Sequence, residues 1–383
     1  EGALRDLLWT ALLCNGASLK QSDDKWTVVG DPTEGALLVA GALALALLSA
    51  LFLTLRPPVA VASGPAPIEP WGTGSERTHS LTVGDMDNDG NLDLIVGNAG
   101  EPNRIYRNDG RGRFPITNVI TLPNPGQDTR ASAVASLDGD PSLDILALSS
   151  GQPAQLYLNP GQGFVTPTLL LTVTAPLTPV LAIGDLDGDA DFDLVIGGEM
   201  SATRVYLNDG HASFRPADWL TTTASMSATA IALADVNVDG RLDLLLGFDG
   251  RPVQTFLNEG GAGFAPAGVI GAARGRVAAL VAGHLNDDGR PDVGVAYSNL
   301  DSESQAPEIY TNYTDTVASA PIRWDKTSDL SFSDNDTPLT LALGDLNNDD
   351  ALDLAVGFGD RSGSAATRNR VLFNDGQARF SNG

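Results

Sequence analysis

Aspartates recur in this chain at a spacing that would bring their carboxylates to a common point. Asp85, Asp87, Asp89 and Asp93 occupy positions 1, 3, 5 and 9 of a nonapeptide, D-x-D-x-D-G-x-x-D, with Gly90 at position 6. Five further copies start at Ser136, Asp185, Asp235, His284 and Asp345, so the starts are 51, 49, 50, 49 and 61 residues apart. Alternate carboxylates of such a loop converge, the glycine permits a sharp reversal, and the carbonyl of position 7 can join them. Six to eight oxygens at about 2.3–2.6 Å are what Ca2+ requires. Mg2+ would keep more of its water, and Zn2+ would want His and Cys ligands that the best loops lack.

The copies differ in their donors. Asp185, Asp187, Asp189 and Asp193 form a second full set, with Ala190 in place of glycine. Asp235, Asn237, Asp239 and Asp243 keep Gly240 and exchange one carboxylate for an amide; Asp345, Asn347, Asp349 and Asp353 do the same around Asp350. In these four loops Asn91, Asp191, Arg241 and Ala351 would offer the position-7 carbonyl. The second copy has Ser136 and Pro141 around Asp138, Asp140 and Asp144, and the fifth has His284 before Asn286, Asp288 and Asp292. Those two are expected to bind weakly or not at all. The competing reading is that Asp, Asn and Gly simply make turns. Four near-complete copies at one place in a repeating unit favour metal. Without a cation the clustered carboxylates would repel one another.

Each loop sits in the same framework. In the first unit Leu81-Thr82-Val83-Gly84 leads into the loop and Leu94-Ile95-Val96-Gly97 leaves it. Arg104-Ile105-Tyr106-Arg107-Asn108, a turn at Asp109-Gly110, and a run from Phe114 to Leu122 follow. The later parts recur as Leu156-Tyr157-Leu158-Asn159, Val205-Tyr206-Leu207-Asn208, Thr255-Phe256-Leu257-Asn258, Ile309-Tyr310-Thr311-Asn312 and Val371-Leu372-Phe373-Asn374. Short β-rich runs between turn residues read as a four-stranded antiparallel meander. Second strands such as Leu194-Val195-Ile196 and Leu244-Leu245-Leu246 are apolar on both faces, which stacked blades require. The fold class is therefore an all-β propeller, of six blades or of seven with one blade missing from view. The last unit's fourth strand would be completed by the segment before His79, unless that seventh blade is missing. The strand 2–3 connections Asn98–Asn103, Gly198–Thr203 and Gly359–Asn369 would lie on the rim opposite the loops and suit recognition.

Composition narrows the function classes. The chain has 383 residues, 42% apolar, with 42 Gly, 23 Pro and a formal charge of −25. Much of the acidity is concentrated in the loops, and no basic patch exists to meet nucleic acid. Cys14 is the single cysteine, so no disulfide can staple the array. The three histidines are His79, His211 and His284, and no nucleophile elbow or metalloprotease motif accompanies them. A non-enzymatic protein is expected. A hydrolase or lyase acting on a polysaccharide, and a purely structural module of a larger surface protein, are the alternatives. Asn312-Tyr313-Thr314 and Asn335-Asp336-Thr337 are glycosylation sequons.

Three segments precede the array. Residues 1–34 are mixed and polar. Residues 35–55 are uncharged and apolar, and as a helix would span about 31 Å, close to a bilayer's hydrocarbon core. Asp31, Pro32 and Glu34 suit its N-terminus, and Arg56-Pro57-Pro58 would end it. The readings are a membrane anchor, an export signal cleaved near Ala60-Val61-Ala62, or a buried helix of a soluble domain. Residues 56–78 are a Pro/Gly-rich linker and residues 79–383 the propeller. The chain opens at Glu1 and reads as a piece of something longer.

The loop units resemble the FG-GAP/VCBS repeats of integrin-α-like β-propellers across residues 79–383. That resemblance implies one calcium loop per blade, between the first and second strands. It also implies a cell-surface or secreted protein used for adhesion or ligand recognition, its ligand a protein or glycan. The apolar helix would make it a single-pass membrane protein. Residues 1–40 are similar to something else. Leu13-Cys14-Asn15 and the stretch Trp26 to Leu38, with Gly30-Asp31-Pro32-Thr33-Glu34-Gly35-Ala36-Leu37, resemble part of the nucleotide-binding domain of P-type cation-transporting ATPases. The family's phosphorylated D-K-T-G-T motif is missing: Asp325-Lys326-Thr327 continues as Ser328-Asp329. No ATP site is expected.

Overall fold

The computed structural model describes residues 18–22, 25–29, 77–110, 113–123, 127–161, 168–220, 227–273, 275–298, 306–314, 322–330, 337–347, 349–359 and 369–382. β1 (Ser18–Ser22) and β2 (Lys25–Val29) pair as an antiparallel hairpin. The hydrophobic helix expected at residues 35–55 lies outside the described residues. Among the described residues no helix is long and apolar enough to cross a membrane.

From Thr78 the chain forms six four-stranded antiparallel sheets, each from four consecutive strands. Blade 1 is β3 (Thr78–Gly84), β4 (Asp93–Asn98), β5 (Arg104–Tyr106) and β6 (Val119–Thr121). Blade 2 is β7 (Thr129–Ala135), β8 (Asp144–Ser149), β9 (Pro153–Tyr157) and β10 (Thr168–Thr174). Blade 3 is β11 (Pro179–Gly184), β12 (Asp193–Gly198), β13 (Ser201–Leu207) and β14 (Arg215–Ala217). Blade 4 is β15 (Ala230–Ala234), β16 (Asp243–Gly247), β17 (Val253–Asn258) and β18 (Phe264–Ile270). Blade 5 is β19 (Arg276–Gly283), β20 (Asp292–Ser298), β21 (Glu308–Asn312) and β22 (Trp324–Asp329). Blade 6 is β23 (Thr337–Gly344), β24 (Asp353–Gly359), β25 (Arg370–Asn374) and β26 (Phe380–Asn382).

Of the two expected blade counts, six and seven, the described residues form six, with two corrections. The last sheet takes its fourth strand, β26, from its own blade, while β3 pairs with β4 alone. The stretch Gly198–Thr203 is mostly strand, because β13 begins at Ser201 and a two-residue turn suffices. The Asp325-Lys326-Thr327 triplet lies in β22, where Lys326 Nζ donates to Glu308 at 2.6 Å.

The core lies between blades. Leu94, Ile95 and Val96 of β4 join Val134, Ile145 and Tyr157 of blade 2 in one cluster. Val195 and Val205 of blade 3 meet Leu244 and Leu246 of blade 4 in another. Strands β4, β8, β12 and β16 are buried at every position, which is why their sequences do not alternate. β3 and β11 end in glycine because the next blade leans on them. A Cβ at Gly84 would lie 2.9 Å from Leu143 Cδ1, and one at Gly184 2.5 Å from Leu242 Cδ1. The six first strands surround a central cavity of about 280 Å³. Each then runs outward into its acidic loop on one and the same face.

Candidate metal centres

The position-9 carboxylate anchors every loop. Asp93, Asp144, Asp193, Asp243, Asp292 and Asp353 are each 0% exposed. One oxygen accepts the N–H of position 2 (Met86, Leu137, Leu186, Val236, Leu285, Leu346) at 2.8–3.1 Å. The other accepts the N–H of an asparagine closing the third strand (Asn108, Asn159, Asn208, Asn258, Asn312, Asn374) at 2.8–2.9 Å. Burial pushes Asp93, Asp193, Asp243 and Asp292 up to about 7, and Asp144 and Asp353 up to about 6. The two N–H groups oppose that rise and neighbouring loop carboxylates add to it.

The same asparagines reach into the preceding blade. Nδ2 of Asn159 donates to Met86 O at 2.9 Å, that of Asn208 to Leu137 O at 2.9 Å, and that of Asn258 to Leu186 O at 2.8 Å. Asn312 reaches Val236 O at 2.7 Å and Asn374 reaches Leu285 O at 2.8 Å. Asn159, Asn258 and Asn374 also hold the position-8 carbonyls of Leu143, Leu242 and Leu352. These asparagines end each Leu-Asn or Thr-Asn or Phe-Asn pair of the third strand, yet their inter-blade role is not announced by spacing. A constant interval to position 9 was the available signal: it is 15 residues in blades 1 to 4. Asn312 is 0% exposed and committed to this bond, so the sequon at Asn312 is closed to a glycan in the folded protein. Asn335 lies outside the described residues.

The loop tips carry the remaining oxygens. Asp85 accepts the N–H of Asp89 at 3.0 Å and of Gly90 at 2.8 Å, Asp185 those of Gly188 and Ala190, Asp235 those of Asp239 and Gly240, and Asp345 those of Asp349 and Asp350. The N–H groups of Asn91, Asp191, Arg241 and Ala351 turn to the position-5 carboxylates of Asp89, Asp189, Asp239 and Asp349. Position 6 is left-handed, with φ of 84° at Gly90 and 86° at Gly240, but also 72° at Ala190 and 68° at Asp350.

Oxygens of Asp85, Asp87 and Asp89 lie within 4.8 Å of one another, as do those of Asp185, Asp187 and Asp193. Asp87 Oδ1 is buried and has no hydrogen-bond partner. Burial, then the charge of Asp89, raises Asp87, and burial with Asp189 raises Asp187. Arginines partly offset this negative charge: Arg107 Nε is 3.4 Å from Asp87 Oδ2, and Arg241 pairs with Asp239. An orphaned buried carboxylate oxygen among converging acids fits a hard divalent cation. Asn237 and Asn347 instead donate to Asp239 at 2.9 Å and Asp349 at 2.8 Å, so their carbonyl oxygens are the donors left for a cation.

The second and fifth copies lack part of the donor set. Ser136 Oγ donates to the Asp140 carbonyl, and Asp138 and Asp140 accept N–H groups of Asp140 and Ser142. Pro141, with its fixed negative φ, cannot make the left-handed position-6 reversal, so this loop keeps only the left-handed position 4, Gly139 at φ 83°, which Asn88, Gly188 and Val238 share in the first, third and fourth loops. In blade 5, Asn286 and Asp288 accept N–H groups of Asp288 and Arg290, and His284 brings no carboxylate to position 1.

An FG-GAP-like repeat model matches residues 85–146, 136–196 and 185–246, each match opening on position 1 of a loop. Residues 85–246 of the propeller are thus built of FG-GAP-like repeats. Among solved structures, the FG-GAP propeller is similar to BBS1N from its complex with ARL6DN (soaked with lead), at 12% identity and a TM-score of 0.48, over 73% of this chain and 76% of that one. It is also similar to the V. cholerae biofilm matrix protein Bap1, at 18% identity and a TM-score of 0.42, over 65% and 39% of the two chains. A different likeness covers 41 residues, 54% identical to the cation-transporting ATPase pma1 of Synechocystis sp.. It spans 11% of this chain and 4% of that protein.

Proposed function

We propose that this FG-GAP propeller is a calcium-stabilised recognition module that binds a protein or glycan outside the cytoplasm and performs no catalysis. The observation that carries the reading is the unpartnered, buried Asp87 Oδ1 within the Asp85, Asp87 and Asp89 cluster. Four loops would hold the ion: Asp85, Asp87, Asp89 and Asp93; Asp185, Asp187, Asp189 and Asp193; and their counterparts around Asp235 and Asp345. Calcium would supply a double positive charge that neutralises each cluster and ties its oxygens together. The chain's own residues do the rest. Position 9 fixes the loop to the third strand, and the asparagine beside it fixes that strand to the blade before.

A location outside the cytoplasm suits such loops, since extracellular calcium modules work at about 0.1–1 mM affinity. Residues 35–55 would tether the propeller to a membrane. The test is calorimetric titration of the EDTA-stripped protein with CaCl2 and MgCl2, paired with thermal melts. Saturable heat from calcium and a melt raised by calcium above magnesium are expected. Superimposable melts in EDTA and excess calcium would end the reading.

A further inference from the structure

The central cavity has a chemistry of its own. Its walls are mixed: Ala133, Leu181, Ile231, Leu280 and Leu341, from five different blades, give it an apolar side, beside the hydroxyls of Ser132, Thr229 and Thr340. Its ionisable lining residues are His79 and Arg130; no carboxylate lines it among the described residues. Both stand near the starts of β3 and β7, at the mouth away from the acidic loops.

One acid holds the two donors in place. Asp128 Oδ1 is 2.6 Å from His79 Nδ1, and its Oδ2 accepts Arg130 Nε at 2.8 Å and lies 2.7 Å from Nη2. Neither His79 Nε2 nor Arg130 Nη1 has a hydrogen-bond partner among the described residues. A second acid on this face, Glu199, is paired with Arg276 and is held below the usual carboxylate range chiefly by that bond. Leu339, 49% exposed, adds an apolar surface to the same lining.

We propose that this mouth binds a carboxylate carried on an apolar body, the carboxylate on Arg130 and the body in the channel. His79 Nε2 is the second polar contact. The proposal deepens the recognition reading above and rests on it, by naming the ligand's chemistry. A carboxylate buried without a partner is strongly disfavoured, but at this rim Arg130 is fixed, partly exposed and has a donor to spare. An amide or alcohol gains no charge-assisted bond there. The volume, about 280 Å³, is near the lower end of small-ligand pockets, roughly 300 Å³.

The test compares octanoate with octanamide by calorimetry on the full chain in excess calcium. Octanoate is expected to bind saturably and at least about tenfold tighter than octanamide. Arg130→Gln, with an unchanged melt, should bring octanoate down to the amide. Ala133→Phe, which fills the channel, should weaken both. N-acetyl-Leu-Leu with a free or an amidated C-terminus distinguishes sources. Preference for its free acid assigns the site to chain ends; octanoate binding without it assigns the site to free acids. Equal binding of octanoate and octanamide, octanoate binding indifferent to Arg130→Gln, or no saturable binding of any acid would overturn the proposal. Repeating the titration in EDTA separates the two ideas: acid binding that survives stripping stands without calcium, and a calcium-raised melt with no acid binding sinks the mouth alone.

Discussion

Asn159 Nδ2 donates to the carbonyl of Met86, 2.9 Å away and 73 residues earlier, so one blade's third strand is fastened to the previous blade's acidic loop. The acceptor, Met86, also donates its N–H to Asp93, the anchor of that loop. The geometry of each of the first five loops therefore reaches the next blade through a single amide. Ordering one loop by a cation should stiffen the next blade as well as its own.

Replacing Asn258 with alanine tests this fastening. It removes the two bonds donated to Leu186 O and Leu242 O, leaving both carbonyls in a dry interface, and also the acceptor of the part-buried Gly260 N–H. The expected loss is about 2–4 kcal/mol, from two buried hydrogen bonds and their stranded acceptors. Asn258→Asp should be worse, because it places a second carboxylate beside Asp243, whose oxygen already accepts the Asn258 N–H. Urea unfolding in excess calcium measures both. A loss within experimental scatter for Asn258→Ala would show that apolar packing alone aligns the blades.

The four-stranded unit, its strand order and the loop positions were legible in the sequence because the repeat is short and its second strand lacks alternation; the choice between six blades and seven was not. Asp85, Asp87 and Asp89 could be placed together because three alternate residues of a tight turn have little choice. The role of Asn159 was not legible, since a polar residue ending a strand looks the same whether it faces water or another blade. Burial decides, and burial depends on neighbours 70 or so residues away, as with Asn208 and Leu137, 71 apart. Sequon reading failed at Asn312 for the same reason: its amide is spent on Val236. The strands of blade 6 were misjudged because three residues, Phe380–Asn382, are enough to complete that sheet.

The loops should differ in their response to a single charge removed. Asp187→Asn takes a carboxylate from a cluster that also holds Asp185 and Asp193. Asp138→Asn takes one from a loop that has Ser136 in place of the position-1 carboxylate and Pro141 in place of the position-6 glycine. The first should reduce calorimetric calcium stoichiometry by one site and shrink the calcium-dependent rise in melting temperature. The second should leave both unchanged. At a free calcium of 100 times Kd, one lost site is worth about 2.7 kcal/mol. Equal effects of the two variants would contradict the assignment of strong and weak loops.

Acid should stabilise the stripped protein and destabilise the loaded one. Burial raises Asp93, Asp193, Asp243 and Asp292 to about 7. In the unfolded chain these groups titrate near the ordinary aspartate value, so between roughly pH 4 and 7 the folded state holds more protons. Their contribution is fully present below the unfolded value and is lost as pH rises through about 7. Melts in EDTA should therefore rise from pH 8 to pH 6. In excess calcium the trend should reverse, because protons compete with the cation for the same oxygens. Parallel pH profiles with and without calcium would refute the competition.

Position 6 offers a reciprocal pair of substitutions. Ala190 sits at φ 72°, where its Cβ crowds the backbone, while Gly240 occupies the equivalent place at φ 86° without that penalty. Ala190→Gly relieves about 1–2 kcal/mol of strain and returns up to about 1 kcal/mol of unfolded-state entropy. The net should be a modest stabilisation, below about 1 kcal/mol. Gly240→Ala reverses both terms and should destabilise, even though a Cβ at Gly240 would meet no atom within 4 Å. That open space makes the test clean: any loss comes from backbone conformation, not from a clash. The gain at Ala190 should also appear as tighter calcium binding in blade 3, because a relaxed turn keeps the N–H of position 6 on Asp185. If Gly240→Ala proves neutral in urea, the left-handed turn is not strained, and the glycine preference at this position needs another cause.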